Sequence, residues 1–293
     1  MAHCGDGIER KDRERRQGIA LSAGNSQRRK RKMELAWDGS VMSGARIFAC
    51  IEAMQGDAPY GRVLDAGTGP RSIGWLTKLD TYSWTAVTGA KAMAAQVKQF
   101  LGERQRPQDR LVVGNWNNPK LLAGEQFDTV LAENLLGSIE GFAPYFQTEL
   151  FARLRALTAK RLYVVGMEPY VIDRPKDPAG VLIWEIGRYR DACLTLTGQR
   201  HYREFPLNWV LAQLQRSGFK PVGVRKVAIG FKSDFAKGQI DLCRPPLERM
   251  ADKALGQALI THGEELKRRA LGHIESNGSL TNGSFHVIAA DPV

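Results

Sequence analysis

The chain has 293 residues, of which 43% are hydrophobic, and a formal net charge of +11. That length and apolar content suit one large domain with a buried core. No apolar run approaches the ~18 residues needed to span a bilayer, and no apolar segment near the first residue reads as a secretory signal, so a cytoplasmic protein without a membrane partner is expected. Cys4, Cys50, Cys193 and Cys243 form no C-x-x-C pair, and His3, His201, His262, His273 and His286 lack ligand spacing. Reduced thiols and no metal site are expected.

The charge is uneven. Residues 1–33 hold ten Lys/Arg and four acids, or +6, which leaves +5 for the rest. Residues 1–34 therefore read as a disordered basic tail, too polar to build a core. Its run Arg28–Lys32 has the composition of a nuclear-import signal, and residues 10–32 that of a nucleic-acid anchor. A merely solvated tail, or an extension ahead of a second start at Met33, fits the same residues.

From residue 35 the text becomes that of a folded domain. Val41, Ala45, Phe48, Ile51 and Met54 recur at helical spacing. Strands are expected at Arg62–Ala66, Trp84–Thr88, Arg110–Val113, Phe127–Ala132 and Arg161–Gly166. Helices are expected between them at Ser72–Leu79, Ala90–Leu101 and Phe142–Thr158. Continuous apolar strands imply burial on both faces, and strict alternation implies a doubly wound, mostly parallel sheet. Gly180–Thr197 and Pro206–Gly218 read as helices and Lys220–Phe231 as a strand. Pro246–Ile274 reads as a long helical insertion, Asn277-Gly and Asn282-Gly as turns, and Ser284–Ala290 as a closing strand. Residues 168–205 and 245–275 are the expected lid and insertion of a domain spanning 35–293.

The stretch Val63-Leu-Asp-Ala-Gly-Thr-Gly-Pro-Arg-Ser-Ile-Gly-Trp-Leu76 carries the most chemistry. It is a strand, a glycine turn and a helix, with free helix N–H groups facing a ligand. A dinucleotide fingerprint needs a third glycine where Ser72 stands, and no phosphate-loop lysine follows. The stretch resembles motif I of the class I S-adenosylmethionine-dependent methyltransferases, with Asp65, Gly67 and Gly69 on its three signature positions. The resemblance covers roughly residues 40–235 plus the final strand. It implies an α/β sheet of seven strands, the last inserted antiparallel beside the fifth, with S-adenosyl-L-methionine as cofactor.

Carried over residue by residue, the resemblance places Gly67, Thr68 and Gly69 under the methionine and ribose, with Asp65 orienting the turn or the cofactor's amino group. The family's acidic residue after strand two falls between Thr88 and Lys91, where no acid stands, so Thr88 offers one hydroxyl instead of a carboxylate. After strand three, Asn115 offers an acceptor to the adenine amino group and Trp116 a stacking face. After strand four, Glu133 and Asn134 stand where cofactor meets substrate. Tyr145, Tyr170, Trp184 and Arg188 lie near the expected mouth. Tyr170 and Trp184 would cage a cationic amine, while Arg188 or Arg190 would hold a carboxylate; packing of the same aromatics against the sheet is the alternative. His201 is a further candidate base.

Methyl transfer to a small-molecule nitrogen or oxygen acceptor is the expected function, since positioning supplies most of that catalysis. The weakened acidic positions keep open a methyltransferase-fold scaffold of little or no activity. The basic tail keeps open a nucleic-acid or protein methyltransferase.

Overall fold

The computed structural model describes residues 41–293, so the basic tail and its run Arg28–Lys32 lie outside the described residues. Helix α1 (Val41–Gln55) comes first. Its buried stripe is Ile47, Phe48 and Ile51, with Ala45 exposed. The face is thus rotated from the one expected, because Phe48 stacks on Trp75 at 4.7 Å and the Trp75 indole N–H donates to Glu52 at 2.7 Å. Gln55 at the end of α1 turns inward and accepts the Tyr163 hydroxyl at 2.6 Å.

The alternating units follow: β1 (Arg62–Asp65), α2 (Pro70–Leu76), β2 (Ser83–Thr88), α3 (Lys91–Leu101), β3 (Arg110–Val113), β4 (Phe127–Glu133), the short α4 (Leu135–Ser138), α5 (Gln147–Arg155) and β5 (Thr158–Met167). Pro70 opens α2 at a position where its missing N–H costs nothing. The helix expected from Phe142 starts only at Gln147. Pro144 cannot donate within a helix, and Tyr145 sits at φ +69°, outside helical space.

Beyond β5 lie α6 (Pro178–Leu196), α7 (Leu207–Arg216), β6 (Phe219–Phe231), α8 (Ser233–Asp241), α9 (Arg244–Glu248), α10 (Lys253–Asn277) and β7 (Leu280–Pro292). Asp177 caps α6 by accepting the Gly180 N–H at 2.6 Å. Asp252 caps α10 by accepting the Leu255 N–H at 2.9 Å, and Gly278 at φ +78° ends it. The helical insertion therefore begins at Ser233, earlier than expected, with α8 as the added element. Asn282-Gly283 is not a turn. It lies inside β7, where two residues oppose one on β6 between the pairs Ala228↔Ser284 and Gly230↔Thr281. Gly283 takes φ +76° there, a bulge.

The seven strands form one sheet in the order β3-β2-β1-β4-β5-β7-β6. The first five are parallel, and β7 runs antiparallel to both β5 and β6. One face is covered by α1, α2, α3, α6 and the insertion, burying Ile51, Ile73, Ile183, Ile186, Phe235 and Leu266 among others. The other is covered by α4, α5 and α7, burying Leu136, Phe151, Leu154, Val210 and Leu214. Strand reversal beside β1 leaves a crevice at the carboxyl ends of β1 and β4, the place where doubly wound sheets bind ligands. Among the described residues no helix is long and apolar enough to cross a membrane.

Candidate active site at the carboxyl end of the sheet

Asp65 is the last residue of β1 and has no exposed surface. The Ser72 hydroxyl on α2 donates to its Oδ2 at 2.7 Å, and Oδ1 is buried without a hydrogen-bond partner among the described residues. Burial pushes its pKa up to about 6, against the Ser72 and Thr68 hydroxyls and the Gly67 N–H, with the Glu133 charge adding to the rise. A buried carboxylate with a free oxygen is costly, so it marks a place where a ligand completes the ledger. Ser72, which spoils a dinucleotide fingerprint, is the residue that holds this carboxylate. It also accepts the Gly69 N–H at 3.1 Å and so fixes the turn.

The turn is tight on one side and open on the other. A Cβ at Gly67 would stand 3.2 Å from Leu135, whereas one at Gly69 would meet nothing nearer than Met93 Sδ at 3.9 Å. The Thr68 N–H is spent on Val87 O at 2.8 Å. Glu133 at the end of β4 is nearly buried and ion-paired with Arg71 of α2. Burial raises its pKa and the Arg71 guanidinium opposes that rise. Arg71 was not foreseen, since it meets Glu133 only across the crevice.

Further along, the residues expected to meet the cofactor make contacts within the chain. Thr88 is buried and its hydroxyl accepts the Ala90 N–H at 3.3 Å, so its group serves the entry to α3. Asn115 donates through Nδ2 to Phe142 O at 2.7 Å, and its Oδ1 accepts the Asn117 N–H at 3.3 Å, which uses one of that oxygen's two lone pairs. Trp116 presents no free stacking face: it is 4% exposed, packs in the second-face core and donates its indole N–H to Ala66 O at 2.7 Å. Phe142 lies on Gly89, where a Cβ would come within 2.7 Å of its ring.

The aromatic cage is not formed. Tyr170 is buried against Phe231 and Phe235, with its hydroxyl accepting from Arg190 at 2.8 Å. Trp184 is flanked instead by Arg174 and Arg188, 5.9 and 5.5 Å from its ring. Arg190 is not free for a carboxylate, because it also donates to Gln239 and Asp191. Residues 178–196 are a packed helix, with Ile183, Ile186 and Cys193 at zero exposure, so the loops of the expected lid are residues 168–177 before it and 197–206 after it. The later loop is tied down by Arg200, which donates to Glu140 at 2.8 Å and stands 5.5 Å from the ring of Tyr145. Tyr145 is 72% exposed. His201 stands 3.8 Å from Asp191.

A second group of polar side chains gathers at the ends of β4 and β5. Asn134 sits at φ +50° with Oδ1 buried and unpaired. His286 of β7 has no exposed surface, and neither ring nitrogen has a hydrogen-bond partner among the described residues. Glu204 approaches from the loop before α7. Arg203 O and Glu204 Oε2 would lie 2.8 and 3.4 Å from a Cβ at Gly137. Gly137→Ala is therefore expected to displace this loop and to lower stability by about 1–3 kcal/mol, as overpacking does; an unchanged melting temperature would refute the close approach.

No family model and no curated protein matches the sequence. Solved structures do. The chain is similar to a Bacillus halodurans protein provisionally assigned as a methyltransferase, with 13% identity over 85% of this chain and 100% of that one, at a TM-score of 0.55. It is similar to the YcgJ protein of Bacillus subtilis, with 15% identity over 85% and 97% of the two chains at 0.51. It is also similar to a mycolic acid cyclopropane synthase crystallised with S-adenosylhomocysteine, with 18% identity over 84% and 83% at 0.50. With the strand order and the antiparallel β7 already described, these likenesses show that the chain has the class I S-adenosylmethionine-dependent methyltransferase fold.

Proposed function

We propose that the chain binds S-adenosylmethionine at the turn after β1 and transfers its methyl group to a small acceptor at the ends of β4 and β5. The observation that carries this reading is the buried Asp65 carboxylate with one oxygen unpaired, beside a turn that is open at Gly69. An ammonium group satisfies such an oxygen with a charge-assisted hydrogen bond, and the cofactor's amino-acid end carries one. When bound, the cofactor supplies a methyl group on a positively charged sulfur. Asp65 binds and orients, Ser72 and Gly69 keep the turn fixed, and the Arg71–Glu133 pair borders the place where cofactor and acceptor meet. The cyclopropane synthase that shares the fold was crystallised with S-adenosylhomocysteine, which supports the same ligand class here.

Calorimetric titration with S-adenosylmethionine and S-adenosylhomocysteine tests the reading. Saturable binding with no response to NAD is expected. The missing carboxylate after β2 should make that binding weaker than a site with a bidentate ribose grip, since charge-assisted hydrogen bonds are roughly twice as strong as neutral ones. A second reading, a scaffold without transfer activity, is favoured by one specific observation: near the ends of β2 and β3 the Phe142 ring lies on Gly89, Asn115 donates to Phe142 O and Trp116 donates to Ala66 O. Absence of binding at millimolar ligand, with the protein folded, would establish it and overturn the enzymatic one.

A further inference from the structure

The pocket at the ends of β4 and β5 has a chemistry of its own. Asn134, Gly137, Gly166, Glu204, Phe205 and His286 line a cavity of about 10 Å³, the size that admits one water-sized group. Gly166 of β5 faces His286 of β7 across the antiparallel pair. A Cβ at Gly166 would lie 2.5 Å from His286 Nε2, so only glycine lets the ring lie flat on the strand. The ring is sealed from solvent, yet both its nitrogens lack hydrogen bonds.

Leu136, Val164, Val165 and Met167 complete an otherwise apolar wall, and the few polar groups that face the cavity are acceptors. Asn134 Oδ1 is buried and unpaired, a neutral imidazole has one acceptor nitrogen, and the Glu204 carboxylate adds two oxygens. Glu168 Oε1 stands 3.9 Å from His286 Nδ1. An acceptor-rich, negatively charged pocket selects a ligand rich in N–H donors and excludes an anion. Asn134 directly follows Glu133, so the pocket begins one residue beyond the Arg71–Glu133 pair, and its backbone N–H donates to Val165 O at 2.9 Å.

Resting on the methyl-transfer reading above, we infer that the Asn134–Glu204–His286 pocket receives the amino group of the methyl acceptor, an aliphatic amine, with Glu204 as the group that takes its proton. The amine enters as an ammonium. One N–H proton passes to the Glu204 carboxylate, giving a neutral amine with a free lone pair and a neutral carboxylic acid. Asn134 Oδ1 and His286 accept the remaining N–H groups and aim the nitrogen.

The charged surroundings are consistent with this. Burial raises the Glu204 pKa to about 7, with the Arg190 charge opposing and the Asp191 charge adding, the range in which a proton acceptor works best at neutral pH. Burial, and then the Lys226 ammonium, lowers the His286 pKa to about 4, so its ring stays neutral. Lys226 itself stands 3.9 Å from Glu168.

The test uses methylammonium chloride as probe on the full chain at pH 8, followed by the imidazole carbon–proton NMR signal of His286, which is assigned by its loss in His286→Gln. A saturable shift of that signal is expected with methylammonium and none with tetramethylammonium, which has no N–H. Glu204→Gln should weaken the effect roughly tenfold, the loss of one hydrogen bond to a charged group, with the rest of the spectrum unchanged. Lowering the pH through about 7 should weaken methylammonium binding as Glu204 takes up a proton. No shift with either salt means a buried water only and overturns the inference, as does an equal shift with both or full retention in Glu204→Gln. S-adenosylhomocysteine titration separates the two ideas. Amine binding without it keeps the pocket and removes the methyl-transfer reading, and the reverse result removes the pocket alone.

Discussion

Asp65→Asn is expected to make the folded chain more stable at pH 8 while removing S-adenosylmethionine binding. The carboxylate is fully buried, and its pKa rises from 3.8 to about 6 on folding. A raised carboxyl pKa means that the fold prefers the protonated form. The charge costs nothing below the unfolded value and its full amount above the folded one, so stability is lost as pH rises from about 4 to about 6. At pH 8 that cost is about 3 kcal/mol, from roughly 1.4 kcal/mol per pKa unit, and the uncharged amide does not incur it. Ser72 can still donate to the retained oxygen. Melting curves should therefore show the variant above the parent at pH 8, with the gap closing toward pH 4. Calorimetry should show no cofactor binding. Retained binding would refute the assignment of Asp65, and a destabilised variant would mean that the Ser72 and Thr68 hydroxyls and the Gly67 N–H favour the charge by more than burial penalises it. Gain of stability with loss of binding is the signature of a group kept for function.

Removal of Arg190 should have the largest structural effect of any single polar change. Its guanidinium donates to the Tyr170 hydroxyl at 2.8 Å, to Gln239 Oε1 at 2.7 Å and to Asp191 Oδ1 at 2.6 Å. It thereby joins the loop after β5, helix α6 and helix α8 at one point, with its side chain only 10% exposed. Arg190→Ala leaves a buried phenol and amide unpaired and Asp191 without its counter-ion. Breaking a buried pair in this way costs about 3–5 kcal/mol, read as a lower urea midpoint at unchanged slope. Arg190→Lys should recover only part of the loss, because a single ammonium cannot reproduce a planar fork reaching three partners. The Arg190 charge also opposes the rise in the Glu204 pKa, so its removal should push that carboxyl higher still. An Arg190→Ala protein as stable as the parent would show that the three elements hold together by apolar packing alone.

The sheet was legible in the sequence because its signals are local. Runs such as Val130–Ala132 and Tyr163–Val165 are apolar on both faces, and glycines and prolines punctuate the chain around them. Asp65, Gly67 and Gly69 were legible for the same reason, since one strand and one turn hold all three. Pairs formed across the crevice were not. Arg71 lies 62 residues from Glu133, and nothing near either one announces the other. His286 and Glu204 come from a distant strand and a loop, and their meeting at Gly166 and Gly137 depends on β7 entering beside β5. The aromatics misled in a consistent direction. Trp116 and Tyr170 sit in loops and look available to a ligand, but large rings bury so much apolar area that packing claims them first. Tyr145 stays exposed because Pro144 and its own left-handed backbone hold it off the core.

The place of β7 has a consequence for how the chain comes to be folded. Among the described residues strand β6 pairs with β7 alone, and β7 fills the slot between β5 and β6. As the polypeptide leaves the ribosome, β6 emerges more than forty residues ahead of its partner, because the whole of Ser233–Asn277 must be made in between. Throughout that interval β5 presents an open edge and β6 has no ladder at all, the condition under which nascent strands associate wrongly. The residues on β6 suit such a wait: Pro221 cannot donate to a neighbouring strand, and Lys220, Arg225 and Lys226 place positive charge along it. Completion of the sheet is thus a late, long-range event, and the polar pocket built around His286 comes into being only with it.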